Sequence, residues 1–497
     1  MIAPVRVPIT ILALALLLSS CAVGPNFESP AAPNVSRYTS ETLADAVATE
    51  NVPGGLAQRF VRGAAVPGDW WTLFHSQALD ELIGQALANN PTLKAAQAAL
   101  QVAQEDMLAQ RGAFFPSFSA SFAASRQRQS ELLAPVPNSN TFVYNLFTPQ
   151  LAISYTPDLF GLNRRTHESL QAQAQAVRFQ MIAASITLSS NVVVTAVQTA
   201  SLREQIRATQ QLIDLEKRSL AILQLRFKRG DASGLDVAAQ KSALAQAQSS
   251  LPVLMKQFAQ MQHALAVLIG RFPDQAPVPA FTLADLQLPT DLPVSLPSAL
   301  ATQRPDVRQA RATLHAASAA IGIATAERLP NISLTADAGS TALAISQVFG
   351  SGTGFWGLAA SLTAPIFEGG ALLHQERAAK AAYVQAAQQY RSTVLTAFQN
   401  VADALVALQQ DAVALQAASA AERAANTTLE LSQLQLRHGY IGVFQLLAAE
   451  QSYQQARMAL LSAEANRFAD TAGLYEALGG GWWNQPNLDD HDDDKAK

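Results

Sequence analysis

The sequence contains a single cysteine, Cys21, among its 497 residues. The chain therefore cannot build a disulfide framework or a cysteine metal cluster. Charged residues are also scarce, at 14% of the chain against roughly 25% in ordinary soluble domains. The 34 basic and 38 acidic residues give a net charge of −4, which argues against a nucleic-acid partner because such binding depends on neutralising phosphates. With 49% hydrophobic residues, the composition predicts a surface partly covered by lipid or by another subunit.

The motifs of catalysis and cofactor binding are lacking too, apart from a G-x-G-x-x-G match at 352–357 that a strand-like run follows instead of the helix that a dinucleotide site needs. The seven histidines are dispersed, and none has the H-E-x-x-H spacing of a zinc site. The sequence has no nucleophile elbow and no phosphate-binding loop. The acidic run at residues 489–494 is typical of a solvated terminus rather than a metal site. We therefore predict that the protein is not an enzyme and has no cofactor and no metal.

The first 21 residues have the pattern of a bacterial lipoprotein signal. A short apolar run follows Arg6 and leads to Leu18-Ser19-Ser20-Cys21, where small residues precede a thiol that can be acylated. The run is too short to span a bilayer as a helix, which needs about 20 apolar residues. We predict a signal peptide over residues 1–20, lipid attachment at Cys21 and, since Ala22 is not aspartate, delivery to the outer membrane. The alternative is an ordinary secretory signal with a chance cysteine.

The remaining chain is a tandem duplication. Asn90-Pro91 and Arg304-Pro305 each open an alanine-rich segment, and the segments end at Pro116 and Pro330. Each half then contains 68 residues without glycine or proline, at 162–229 and 371–438. One continuous helix of that length would span roughly 100 Å, although several shorter helices are the alternative. Since Gly230 and Gly439 follow these segments, we expect each half to form a long antiparallel helical hairpin.

Alternating residues predict four strands between the helices. They lie near 116–129, 141–156, 330–343 and 355–367, and period-2 alternation suits a membrane strand with one face in lipid. Four strands cannot close a barrel, because the smallest membrane barrels have eight and lipid does not tolerate open edges. The strands therefore form either a soluble sheet or one share of a barrel built by several chains.

The second helix of each long hairpin follows its turn. In the first hairpin this helix is expected to be interrupted at Pro252. In the second hairpin, which comes after the inter-repeat residues 273–297, it is expected to begin near residue 443.

These features define a domain organisation. The expected segments are a signal peptide at 1–20, an extended segment at 21–70, a first repeat at 71–272, an inter-repeat segment at 273–297, a second repeat at 298–473, and a C-terminal segment with an acidic tail at 474–497.

The mature chain resembles the TolC-type outer-membrane factors over essentially its whole length. The likeness rests on Asp69-Trp70-Trp71-Thr72-Leu73-Phe74 and on Ala86-Leu87-Ala88-Asn89-Asn90-Pro91, and the lipobox followed by Ala22-Val23-Gly24-Pro25 is similar to the lipid-anchored efflux branch. The resemblance implies a homotrimer in which long antiparallel helical hairpins and four transmembrane strands per chain form a 12-stranded barrel continued by a periplasmic helical tube. Its implied partners are outer-membrane lipid, a periplasmic adaptor and an inner-membrane pump, for which the RND type is favoured.

The resemblance also implies a site at the hairpin tips. The turns at Gly230 and Gly439 would form the periplasmic mouth where the adaptor docks. Asp236 matches the position of an acidic gate residue, whereas Gln445 stands where the second repeat is often acidic. Phe444 matches an apolar constriction, with packing inside its own hairpin as the alternative.

Several functions remain open on this basis. The expected one is an outer-membrane exit duct that passes small molecules such as drugs from the pump to the exterior. The alternatives are a channel of type I protein secretion and a non-conducting lipoprotein that bridges the envelope. The sequence names neither the exported compound nor the cognate pump.

Overall fold

The computed structural model describes residues 22–31, 33–40, 50–128, 130, 143–274 and 282–485. The predicted lipidation residue Cys21 and the acidic tail lie outside these ranges. The chain divides into two compact units. Unit 1 contains Met1–Ser29, Leu100–Val177 and Ala310–Tyr390, and unit 2 contains Pro30–Ala99, Arg178–Gln309 and Arg391–Lys497.

Most of the described chain is helical, with short strands between the helices. The helices are α1 (Gln77–Asn89), α2 (Pro91–Arg111), α3 (Leu162–Arg229), α4 (Gly234–Leu268), α5 (Pro297–Gln303), α6 (Pro305–Ala326), α7 (Ala371–Arg437) and α8 (Val443–Ala477). The strands are β1 (Arg59–Arg62), β2 (Ser117–Gln127), β3 (Tyr144–Tyr155), β4 (Asp291–Val294), β5 (Asn331–Ser340) and β6 (Gly354–Thr363).

The two segments without glycine or proline are each one continuous helix. They are α3, with 68 residues, and α7, with 67, so the alternative of several shorter helices is wrong. The interruption expected at Pro252 is also wrong, because α4 runs through that residue. An internal proline removes one backbone hydrogen bond. Pro252 is exposed, and the other hydrogen bonds of this 35-residue helix keep the chain helical on both sides of it.

Two sheets accompany the helices. In unit 1 four strands form an antiparallel sheet in the order β2-β3-β5-β6. Each half of the chain therefore contributes two neighbouring strands. In unit 2 the four-residue strands β1 and β4 pair in parallel, with Arg59 beside Asp291. The sequence did not indicate this second sheet, because four residues are too few to show an alternation and Pro293 lies within β4.

The helix α3 also has the composition of a membrane helix. Among the described residues it is the one helix with an 18-residue window apolar enough, by length and composition, to cross a bilayer. Half of that window is buried inside the protein. Since Val192, Val193 and Val197 are fully buried, the apolar run is accounted for by packing within unit 2.

The core of unit 2 joins sequence-distant segments. The indole of Trp70 stacks on the ring of Tyr475 at a centroid distance of 5.2 Å. Arg467 of α8 is buried and donates hydrogen bonds to the carbonyl oxygens of Gly54, Leu56 and Leu408 at 3.1–3.2 Å. An apolar seam along α7 is buried as well, and it consists of Val401, Leu405, Leu408, Ala412 and Leu415.

Candidate functional site: the sheet faces and the hairpin tips

One face of the four-stranded sheet is apolar and exposed. Successive side chains of a strand point to opposite faces, and the register aligns the apolar positions of all four strands. Phe118 and Trp356 are each 76% exposed and Leu358 is 74% exposed. The apolar face comprises Phe118, Ala120, Phe122, Phe147, Pro149, Leu151, Ile153, Ile332, Leu334, Ala336, Ala338, Trp356, Leu358, Ala360 and Leu362. A contiguous exposed surface of this kind requires lipid or another apolar cover.

The opposite face of the same sheet is polar. Ser119 and Ser121 of β2 lie on it, together with Thr148 and Gln150 of β3 and Asp337 of β5. Serine, threonine and aspartate side chains are suited to water rather than to hydrocarbon. An apolar face and a polar face on one sheet are the arrangement of a transmembrane barrel strand set, with lipid outside and water inside.

The sheet has two free edges within the described chain. β2 pairs only with β3, and β6 pairs only with β5. Unpaired backbone groups of an edge strand cost several kcal/mol each in hydrocarbon. A membrane sheet of this kind therefore requires further strands from another chain.

The tips of both long hairpins have the same turn geometry. Gly230 has φ +84° and Gly439 has φ +75°. In the first tip the N–H of Gly230 donates to Phe227 O at 3.0 Å and that of Asp231 donates to Arg226 O at 2.9 Å. The second tip repeats both bonds from Gly439 and Tyr440. This pair of bonds is the Schellman motif, in which a left-handed residue ends the helix. The structure thus places both predicted turn glycines at equivalent hairpin tips.

The helices that follow the two tips begin differently. Asp236 forms a capping box with Ser233: its N–H donates to Ser233 Oγ at 3.1 Å, and its carboxylate accepts the Ser233 N–H at 3.0 Å. In the second tip Gly442 occupies the N-cap and Gln445 the equivalent third position. Glycine has no side chain with which to cap. The predicted gate carboxylate therefore stabilises the start of α4, while α8 begins without side-chain capping.

Phe444 lies at the second position of α8 and is 49% exposed. Its ring borders a cavity of about 410 Å³ that is also lined by Leu212 of α3 and Ala247 of α4. The contact between α8 and its own hairpin partner is made by other residues, since Leu446 packs against Leu429 of α7. The side chain therefore faces the first hairpin from the second.

Two buried carboxyl groups in the same cavity were not anticipated from the sequence. Glu216 of α3 is 3% exposed and Glu450 of α8 is 2% exposed. Gln240 of α4 donates its amide N–H to the Glu216 carboxylate. Burial raises the pKa of Glu450 to about 8, and the Glu216 charge adds to the shift. The one available signal was that Glu450 lies four residues after Leu446, on a buried helix face.

A sheet with a lipid face and a water face, joined to long helical hairpins, defines the class of outer-membrane channels. The chain belongs to the outer membrane efflux protein family, whose model matches residues 82–271 and 296–480. The expected fold class, mainly α with a β-barrel portion and a helical tube, is confirmed. The family consists of channel proteins located in the outer membrane.

The chain is similar to outer membrane proteins of Pseudomonas. The chain is 31% identical over 419 residues to the pyoverdine export outer membrane protein OpmQ of Pseudomonas putida, covering 83% of this chain and 88% of that protein. It is 29% identical to the outer membrane protein OprJ of Pseudomonas aeruginosa over 95% of this chain and 96% of that one.

Solved structures show the same fold. The open state of the MtrE outer membrane channel of Neisseria gonorrhoeae is 28% identical, with a TM-score of 0.78 and coverage of 93% of this chain and 98% of that one. The outer-membrane channel OprN aligns with a TM-score of 0.81 at 24% identity, covering 93% of this chain and 100% of that one. Together with the family match and the curated relatives, these structures confirm the prediction of an outer-membrane efflux channel.

Proposed function

We propose that three copies of the chain close a 12-stranded barrel that serves as the exit duct of a tripartite pump for small molecules. The observation that supports this is the exposed apolar face of the sheet, together with its two free edges. Two chains would supply only eight strands, and an eight-stranded barrel has room for little more than its own side chains. Three chains give the smallest barrel with an open interior.

In this proposal the tube continues as the helical hairpins and ends at the two tip turns. The tips at Gly230 and Gly439 would contact a periplasmic adaptor, which joins the channel to an inner-membrane pump of the RND type. The relatives OpmQ, a pyoverdine export protein, and ArpC, an antibiotic efflux pump outer membrane protein of Pseudomonas putida, support small molecules as the cargo.

Resistance measurements test the cargo and the pump. Deletion of the gene should lower resistance to the same compounds as deletion of one RND-type pump, and the double deletion should lower it no further. Loss of a secreted protein with unchanged resistance would instead support type I secretion. Purified protein without conductance in planar bilayers would support the non-conducting bridge.

Lipid anchoring at Cys21 is part of the same proposal. The segment that follows it is hydrogen-bonded to the rest of unit 1. The N–H of Val23 donates to Phe160 O at 3.0 Å. The guanidinium of Arg165 donates to Val23 O at 3.1 Å and to Asn26 Oδ1 at 2.8 Å. Phe27 stacks on His315 at 4.4 Å. Tyr155, where β3 ends, is only five residues before Phe160, so the segment after Cys21 contacts the chain close to the end of a membrane strand.

A labelling experiment tests the anchor. Cys21→Ser should abolish incorporation of labelled palmitate, because no other thiol is present, and should leave the precursor unprocessed. Ser20→Ala keeps a small residue at the cleavage position and should be labelled normally. Palmitate on the Cys21→Ser protein would refute lipid attachment at this residue.

A further inference from the structure

The cavity beside Phe444 is formed by three helices of one chain. Its volume of about 410 Å³ falls within the range of roughly 300–1,000 Å³ that is common for small-molecule sites. Leu212, Ala247 and Leu447 supply apolar walls, and Phe444 supplies an aromatic surface at one side. Glutamine side chains from α4 and α8 complete the lining. The cavity therefore combines an apolar wall with polar groups, as ligand sites do.

The polar end of this cavity is acidic. Glu216 and Glu450 are both more than nine-tenths buried. Glu216 has a partner, since Gln240 donates to it. The Oε2 atom of Glu450 is buried and has no hydrogen-bond partner among the residues that the structure describes. A buried polar atom without a partner costs about 1–3 kcal/mol. Glu450 can hydrogen-bond to the neighbouring Glu216 carboxyl only when one of the two carries a proton, so a ligand that brings its own N–H donors could satisfy both.

The charged groups around Glu450 come from several helices. The charged group from α3 is Glu216. The helix α4 contributes no charge here, since its residue at this point is Gln240, which donates to Glu216. On α8 itself, Tyr453 and Arg457 border a neighbouring pocket that Glu450 also lines. Burial raises the pKa of Tyr453, and the charges of Glu422 and Glu430 on α7 raise it further. Burial also raises the pKa of Glu216. Burial and the closeness of the two carboxyls therefore favour a proton held between them.

We propose that this cavity binds an organic cation that carries N–H donors on a flat apolar body, such as an amidinium or a primary ammonium attached to an aromatic ring. The donors would satisfy Glu450 Oε2 and take the place of the shared proton between the two carboxylates. The ring would lie against Phe444 and Leu447.

The chemistry of the site favours this ligand over a metal ion. Hard cations such as Ca²⁺ take six to eight oxygen ligands, whereas two carboxyl groups line this cavity. Among the described residues, no group of three or more His, Cys, Asp or Glu side chains is placed to hold a metal. Two carboxylates and an apolar wall instead match a charged head on a hydrophobic body.

Calorimetry with the full-length protein tests the proposal, with benzamidine as the cationic probe and neutral benzamide as its uncharged isostere. Benzamidine should bind and benzamide should not. Proton release, measured in two buffers of different ionisation enthalpy, should accompany binding at pH 7. The affinity should fall by about tenfold for each pH unit below the pKa of Glu450, because the cation displaces a proton.

A matched pair of variants locates the site. Glu450→Gln should weaken benzamidine binding on the order of thirtyfold or more, because one charge of a buried pair is lost. Glu464→Gln makes the same change at another buried carboxyl of α8 and should bind as the wild type does. Equal binding of benzamide, or unchanged affinity in Glu450→Gln, would overturn the proposal. If Glu450→Gln does not fold, absence of proton release from the wild type would overturn it equally.

Discussion

Glu464 provides a test of how buried acids set the pH response of the helical hairpins. It lies on α8, is 3% exposed, and has the charges of Glu204, Glu422 and Arg457 nearby. Burial raises the pKa of its carboxyl to about 7. The two glutamates push the pKa in the same direction, while Arg457 opposes them. We choose the substitution Glu464→Gln because the amide keeps the shape of the side chain and does not titrate.

The magnitude follows from the difference in proton binding between the folded and unfolded states. In the unfolded chain this carboxyl loses its proton near its ordinary pKa of 4.5, whereas in the folded chain it keeps it up to about 7. The stabilisation is therefore fully present below pH 4.5 and is lost as the pH rises through 7. At about 1.4 kcal/mol per pH unit, the free energy of unfolding of the wild type falls by about 3 kcal/mol per chain over this window. That of Glu464→Gln does not fall in this way.

Guanidinium unfolding followed by circular dichroism at pH 4.5, 6 and 7.5 measures the effect. The free energy of unfolding of Glu464→Gln relative to the wild type should increase by about 3 kcal/mol per chain between the first and last pH. Glu105→Gln, a change at an exposed position of α2, serves as the control and should show no such trend. A difference between Glu464→Gln and the wild type that is independent of pH would refute the reasoning.

Three further predictions concern the turns, the constriction and the membrane face. Gly439→Ala should lower the free energy of unfolding by about 1–2 kcal/mol and speed hydrogen exchange at the tip, because the φ of Gly439 is +75°. Gly473→Ala inside α8 should instead raise it by about 0.5–1 kcal/mol, and equal effects of the two changes would contradict the turn argument. Phe444→Ala should raise conductance in planar bilayers if the ring narrows the mouth, and unchanged conductance would leave it as a packing residue only. Ala360→Lys on the apolar face of β6 should lower the stability of the barrel in the membrane by about 2–4 kcal/mol and reduce the yield of protein in the outer membrane fraction. Ala359→Lys on the polar face should do neither, and equal yields would refute the assignment of the faces.

The long helices could be predicted from the sequence because a local property determines them. The absence of glycine and proline over 162–229 corresponds to α3 residue for residue. Alternation likewise indicated the four strands of the larger sheet. The parallel pairing of β1 with β4 depends on contacts between segments more than 200 residues apart, and no local pattern encodes such a pairing. The continuity of α4 through Pro252 was missed because the rest of a 35-residue helix outweighs one local helix breaker.

The site was predictable only in part. The turn glycines Gly230 and Gly439 are recognisable because a left-handed helix end favours glycine. The capping role of Asp236 was readable in principle from Ser233 three residues before it. The burial of Glu216 and Glu450 was not, because a glutamate on a helix is exposed by default. Only the packing of α3, α4 and α8 against one another brings these two carboxyls together.

The two free edges of the sheet also have a genetic consequence. In the proposed trimer each chain must pair with both of its neighbours through β2 and β6. A chain that folds its helices but carries a defective edge strand would enter a mixed assembly and prevent its closure. If wild-type and defective chains are made in equal amounts and mix at random, only about one trimer in eight contains three sound chains. Edge-strand mutations should therefore be dominant over the wild-type allele, whereas mutations that abolish folding of the whole chain should be recessive.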